Sequence, residues 1–262
     1  MRFRPLPGFT IAATILLALL IGLGLWQLER LQWKLGLIDQ VNRNLAAPPI
    51  SLDAALKLGP DAQYHRVALM GHFDHSMEAY IYGIGVEGAP IYHVLTPFLT
   101  DDGRTLLVDR GIVPRDLRDP ATRPQSWAEG EVIQIDPKHP DRGAAFLPLS
   151  RRIVGVWRFG EAPGAFTPAP DRAKRIWFVR DVAAIARADG IKLAAPALIE
   201  ADATPNPGGW PRGGQTVVTF RNEHLQYAIT WFLMAAGLLA VYIAYHVSRG
   251  RLAFGRRVKD GS

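Results

Sequence analysis

One short stretch of this chain gathers side chains able to hold a metal-centred ring. It reads Arg221-Asn222-Glu223-His224-Leu225-Gln226-Tyr227, with Trp231 shortly after. On a helix His224, Tyr227 and Trp231 fall at i, i+3 and i+7, along one face. An imidazole nitrogen is a ligand for haem iron, and flanking aromatic rings suit a porphyrin face. Arg221, just outside, could pair with a propionate. The same residues have a plainer meaning, since Trp and Tyr gather at membrane–water boundaries and a histidine there is well solvated. One histidine does not separate these readings. His246 lies about 33 Å further along the same helix by its rise. It cannot reach the same ring, and it reads as a polar side chain at an interface.

Two other clusters are better explained without chemistry. His72-Phe73-Asp74-His75, followed by Glu78, offers four potential metal ligands. Residues 72 and 74 share a strand face, but residue 75 joins them only if the chain turns, and no further ligand stands at a recognised spacing. We read a turn between strands carrying solvated polar groups. Gly83-x-Gly85-x-x-Gly88 matches a dinucleotide fingerprint, which needs a helix N-terminus after it to hold a pyrophosphate. Ala89-Pro90 and another strand-like run follow instead, so the glycines read as a strand connection. The chain has no cysteine, which excludes disulfides, thiolate metal sites and a catalytic thiol. No Walker loop, nucleophile elbow or His-Glu-x-x-His occurs, and no serine stands in a recognisable catalytic setting.

The elements that must position His224 are set by hydropathy and charge. Residues 227–247 carry no charged side chain, and neither do residues 9–26. As a helix the shorter run is about 27 Å long, close to the hydrocarbon thickness of a bilayer. A cleaved signal peptide is the competing reading of residues 9–26. The run is long for one, however, and Leu28, Leu31, Leu35 and Ile38 continue it as an amphipathic helix. The net charge of +6 is confined to the ends: Arg2 and Arg4 at one, and Arg249, Arg251, Arg256, Arg257 and Lys259 against Asp260 at the other. That distribution argues against a nucleic-acid partner and, by the positive-inside rule, places both termini in the cytoplasm. The expected layout is a cytoplasmic N-terminus over 1–8, a transmembrane helix over 9–26 and a periplasmic domain over 27–226. A second transmembrane helix over 227–247 and a basic cytoplasmic tail over 248–262 complete it. The lack of an Arg- and Ser-rich transit segment points to a bacterial inner membrane, crossed twice.

Between the spans, alternating patterns predict strands over 64–73, 77–82, 92–100, 105–113, 153–158, 176–179 and 216–220. Asp101-Asp102-Gly103 makes a hairpin of the third and fourth. A helix over 26–44 prolongs the first span, and a short one over 182–188 ends at Gly190. Pro48–Pro49, residues 168–170 and residues 205–214 read as loops. The predicted fold is an α+β membrane protein: two transmembrane helices flank an antiparallel β-rich sheet or partial barrel with one or two helices.

Several segments, in order along the chain, resemble the Surfeit-locus protein one family. GGQTVVTFRNEHLQYAITWF over 213–232 resembles its Gly-Gly-x-Thr strand followed by Arg-Asn-x-His-Leu-Gln-Tyr and Trp. GHFDHSMEAY over 71–80 resembles its Gly-x-Phe segment, and HVLTPFLTDDGRTLLVDRGIVPRD over 93–116 its Thr-Pro strand and Val-Asn-Arg-Gly-aromatic-Val-Pro signature. GLWQLERLQWKLGLID over 24–39 and WFVRDVAAIARADG over 177–190 add two more. Asp109 stands where the family has Asn, Ile112 replaces its aromatic, and the stretch 134–153 is additional.

The resemblance implies an assembly factor for haem–copper cytochrome c oxidase that is not an enzyme. Such a factor binds haem a transiently and supports its insertion into oxidase subunit I, with the haem a synthase and membrane lipid as further partners. It implies His224 as the ligand to haem iron. Tyr227, Trp231, Arg221 and Trp26 then complete the binding residues, in a groove between the spans also edged by Trp33. A cofactor-free scaffold acting through residues around 110–115 is the alternative, and a membrane-tethered enzyme of unrecognised type a weaker one.

Overall fold

The computed structural model describes residues 2–85, 88–127, 131–134, 145–216, 218 and 220–253. In chain order the elements begin with β1 (Arg2–Phe3), α1 (Pro7–Ala46), β2 (Ile50–Ser51), α2 (Leu52–Leu58), β3 (Arg66–Phe73) and β4 (Ala79–Ile84). Next come β5 (Pro90–Thr100), β6 (Thr105–Pro114), β7 (Glu131–Gln134), β8 (Ala145–Pro148) and β9 (Arg151–Phe159). The last are β10 (Ile176–Trp177), α3 (Val182–Ala188), β11 (Ala197–Ala201), α4 (His224–Ser248) and β12 (Leu252–Ala253). They form two compact units. One comprises Met1–Gln40 with Thr219–Ser262, the other Val41–Val218.

The first unit is built on α1 and α4, both long and apolar enough to cross a membrane. They run antiparallel. The Thr10 and Tyr242 hydroxyls hydrogen-bond at 2.8 Å, and Phe9 stacks on Tyr242. Further along, the Phe232 ring lies so close to Gly24 that a Cβ there would meet it at 2.7 Å. Ala228 and Ala235 are buried on the same helix. Small residues at the seam let the two backbones approach. Most of the remaining apolar surface is bare: Ile11, Ile15, Leu233 and Val241 are each more than 60% exposed. Beyond the helices β1 pairs antiparallel with β12, Arg2 opposite Ala253 and Phe3 opposite Leu252.

The second unit is a sheet that closes on itself. β3, β5, β6, β11 and β9 pair in a circuit, sealed where Gly71, His72 and Phe73 meet Thr100, Leu99 and Phe98. β4 and β10 extend it beyond β5, and β2 lies beside β3. A bulge between His93 and Leu95 lets β5 turn from β4 to β3 along one edge. Gly71 permits the seam, since a Cβ would sit 2.1 Å from the Leu99 carbonyl oxygen. Side chains alternate as the period of two demands. Leu106 and Val108 join Val67, Leu69, Phe98, Ile153, Trp157 and Ile199 in one core, closed by Leu52 and Ala55 of α2. Leu107, Leu95 and Leu198 point the other way and receive Val182 and Ile185 of α3. Burying each of those two side chains contributes about 1.5–3 kcal/mol.

The sheet is mixed, which corrects the antiparallel expectation: β2 with β3, β10 with β4 and β11 with β6 are parallel. Each of these pairs is joined through long intervening chain, which is what parallel pairing requires. β11, at the centre, lies in a stretch for which no element was expected. The strand expected over 216–220 is absent at Thr216, Val218 and Phe220, and Thr216 instead donates its hydroxyl to Glu200 Oε2 at 2.7 Å. The strand expected from residue 77 starts at Ala79, because Asp74 caps a turn by accepting from the Ser76 backbone N–H. Much of the stretch 134–153 and of the basic tail lies outside the described residues.

Candidate functional site

His224 is the first residue of α4, preceded by the cap residue Glu223. Its Nδ1 donates to Oε1 of Gln27, on α1, at 2.8 Å. A carboxamide oxygen can only accept, so the proton of the neutral imidazole sits on Nδ1 and a lone pair is left on Nε2. Nε2 makes no hydrogen bond among the described residues. Gly24, about one helical turn before Gln27, packs against the Phe232 ring of α4. From Thr10 to Gln27 along α1 is about 26 Å by helical rise. The Thr10–Tyr242 and Gln27–His224 bonds therefore tie the helix pair at opposite ends of a span of bilayer thickness.

The other residues singled out from the sequence are placed as follows. Arg221 is 83% exposed and donates from Nε to Glu223 Oε1 at 2.6 Å. Tyr227 and Trp26 are each about half exposed, and Trp231 is half-buried. Trp33 carries the Arg30 guanidinium over its ring at 3.9 Å. Gln27 is the residue of α1 that hydrogen-bonds His224. On the two helices, Leu25, Leu225 and Ile229 are each about half exposed. An imidazole oriented by a hydrogen bond to its other nitrogen is a donor that fits haem iron. The cavity between the helices lies at the opposite end, about 220 Å³ lined by Phe3, Thr10, Leu17, Leu238 and Tyr242.

His246 was expected as a polar side chain at an interface, and its surroundings correct that. It is fully buried in a cage of Phe3, Phe9, Tyr242 and Tyr245. Its Nδ1 donates to the Tyr242 carbonyl at 2.9 Å, and its Nε2 is buried without a hydrogen-bond partner among the described residues.

In the sheet unit, the His72–Glu78 segment turns as expected and Ser76 is exposed, yet Glu78 is not solvated. Glu78 is buried between Arg110, at 3.4 Å, and Arg123, and accepts from the Tyr80 hydroxyl. Arg110 also donates to the Ser126 carbonyl at 2.8 Å. Burial alone would raise the Glu78 carboxyl. Hydrogen bonds from His75 and Arg123, with the charges of Arg123 and Arg110, outweigh it and bring the pKa to about 2. Burial likewise would raise Asp109, but the His93 imidazole at 2.8 Å, Arg180 and the Gly111 N–H hold it below its ordinary value. The glycine motif at 83–88 joins β4 to β5 as a hairpin, with Ile84 opposite Pro90. No group of three or more metal-ligating side chains occurs among the described residues.

A family model described as the SURF1 family matches residues 14–236, which include both ends of the His224–Gln27 contact. Proteins named Surfeit locus protein 1 align along most of the chain. That of Takifugu rubripes is 34% identical over 87% of this chain and 92% of its own length. That of Rattus norvegicus is 35% identical over 87% and 72%. That of Homo sapiens is 36% identical over 82% and 70%.

Proposed function

The chain belongs to the SURF1 family, and from that membership we propose that it is a non-enzymatic assembly factor for cytochrome c oxidase. In this reading it binds haem a and supports its insertion into oxidase subunit I, receiving the haem from the haem a synthase. The observation that carries the proposal is His224, held by Gln27 at one end of the helix pair with its Nε2 lone pair uncommitted.

The bare apolar flanks of α1 and α4 support their insertion in a bilayer, because leaving such surface in water costs about 25 cal/mol for each Å². Basic residues outside both helices support cytoplasmic termini and a periplasmic sheet unit. His224 then stands at the periplasmic water boundary. When bound, haem a would supply an iron centre able to accept a nitrogen ligand. His224 offers that nitrogen, Tyr227, Trp231 and Trp26 offer aromatic surface, and Arg221 offers charge for the propionates. A lone imidazole holds its cargo weakly enough to release it, which suits delivery over storage.

The test is co-expression with a haem a synthase, then optical and resonance Raman spectra of the purified chain and of His224→Ala. Haem a on the wild type, lost or spectrally altered in the variant, is expected. A wild type without haem a, or a variant with an unchanged spectrum, overturns the proposal and favours the cofactor-free scaffold.

A further inference from the structure

We infer that Gln27 is the positioning residue of the haem site: by accepting the Nδ1 proton of His224 it selects the tautomer and the ring orientation that present Nε2 as a ligand. The inference rests on the haem reading for its purpose, though not for its chemistry.

Two geometric facts carry it. The bond is 2.8 Å, within the ordinary range for nitrogen donating to oxygen, and it links residues far apart in sequence and on different helices. The acceptor is also held in place, since Gly24 brings α1 against Phe232 one turn before Gln27. Free imidazole prefers its proton on Nε2, which would leave the outward nitrogen without a lone pair. An acceptor fixed on the Nδ1 side reverses that preference and also makes the imidazole more electron-rich. A polar side chain at the end of an apolar run would otherwise take water or lipid headgroups. Here its oxygen is spent on one imidazole.

Two readouts test this on the full chain in detergent micelles. The first needs no haem: ¹⁵N spectra of histidine-labelled protein report which ring nitrogen carries the proton. His224 is expected as the Nδ1–H tautomer in the wild type and in Gln27→Glu, which keeps an acceptor, and to shift toward Nε2–H in Gln27→Leu. The second uses haem a loaded by co-expression. In the ferrous state the iron–imidazole stretch should rise in Gln27→Glu and fall in Gln27→Leu, with affinity in the latter down roughly 10–100-fold.

A wild-type His224 protonated on Nε2, or a Gln27→Leu chain with unchanged tautomer and unchanged stretch, overturns the inference. If Gln27→Leu does not accumulate, the stretch of Gln27→Glu against wild type decides, and no shift refutes it. If wild type and His224→Ala load alike, the haem reading has failed, and the tautomer measurement still judges the role of Gln27 separately.

Discussion

Replacing Glu78 by Gln tests the buried charge cluster of the sheet unit. The carboxylate lies between two arginines that are themselves almost completely buried, Arg110 and Arg123. Lowering its pKa from 4.5 to about 2 stabilises the folded state by about 3 kcal/mol, at about 1.36 kcal/mol per unit. Because the folded pKa is the lower one, that contribution is complete above about pH 4.5 and is lost as pH falls toward 2. The Gln variant keeps the shape and an acceptor oxygen but removes the negative charge that Arg110 and Arg123 share, a change of about 3–5 kcal/mol. For a domain of this size 3 kcal/mol corresponds to about 6–12 °C in melting temperature. Near-UV circular dichroism of the full chain in micelles, followed against temperature from pH 7 to 2.5, measures both effects. Glu78→Gln should melt lower at pH 7 and lose stability less steeply on acidification. A variant within about 1 °C of wild type at pH 7, or one whose acid loss matches wild type, refutes the account of the cluster.

Three further outcomes are expected. Gly111→Ala should destabilise by about 3 kcal/mol or more, because φ there is +112° and a Cβ would lie 1.9 Å from the Arg212 carbonyl oxygen. A thermal melt or the yield of folded protein reads it. His246→Phe should melt within about 3 °C of wild type or above it, since a ring fills the aromatic cage and removes a buried unpartnered nitrogen whose burial costs about 1–3 kcal/mol. A large drop would show that the imidazole itself is needed. The absence of cysteine makes single-site labelling clean: Phe166→Cys, at a 99% exposed position, should react with an impermeant maleimide in intact spheroplasts, whereas Arg4→Cys should react only after lysis.

What was legible in the sequence was whatever one stretch of chain decides alone. α1 and α4 follow from long uncharged runs, and β3 to β6 from alternation and from Gly103, whose φ of +83° suits the turn after Asp101-Asp102. α3 follows from its apolar spacing and the Asp181 cap, which accepts from the Ala184 N–H. β11 was not legible. Ala197–Ala201 is short, lies among alanines and a proline, and is a strand because β6 and β9 pair with it on either side. The same division runs through the side chains singled out for chemistry. His224 stands out by its type and its place before an apolar run, but its hydrogen-bond partner, Gln27, is on another helix. His246 reads as interfacial until the pairing of β1 with β12, two residues on each strand, is known, because Phe3 of that pair closes its cage. Glu78 reads as a turn carboxylate until Arg110 and Arg123 arrive from other parts of the chain. The type of a side chain can be read locally. The partners that set the protonation and direction of His224, His246 and Glu78 include residues distant in sequence, and those the fold supplies.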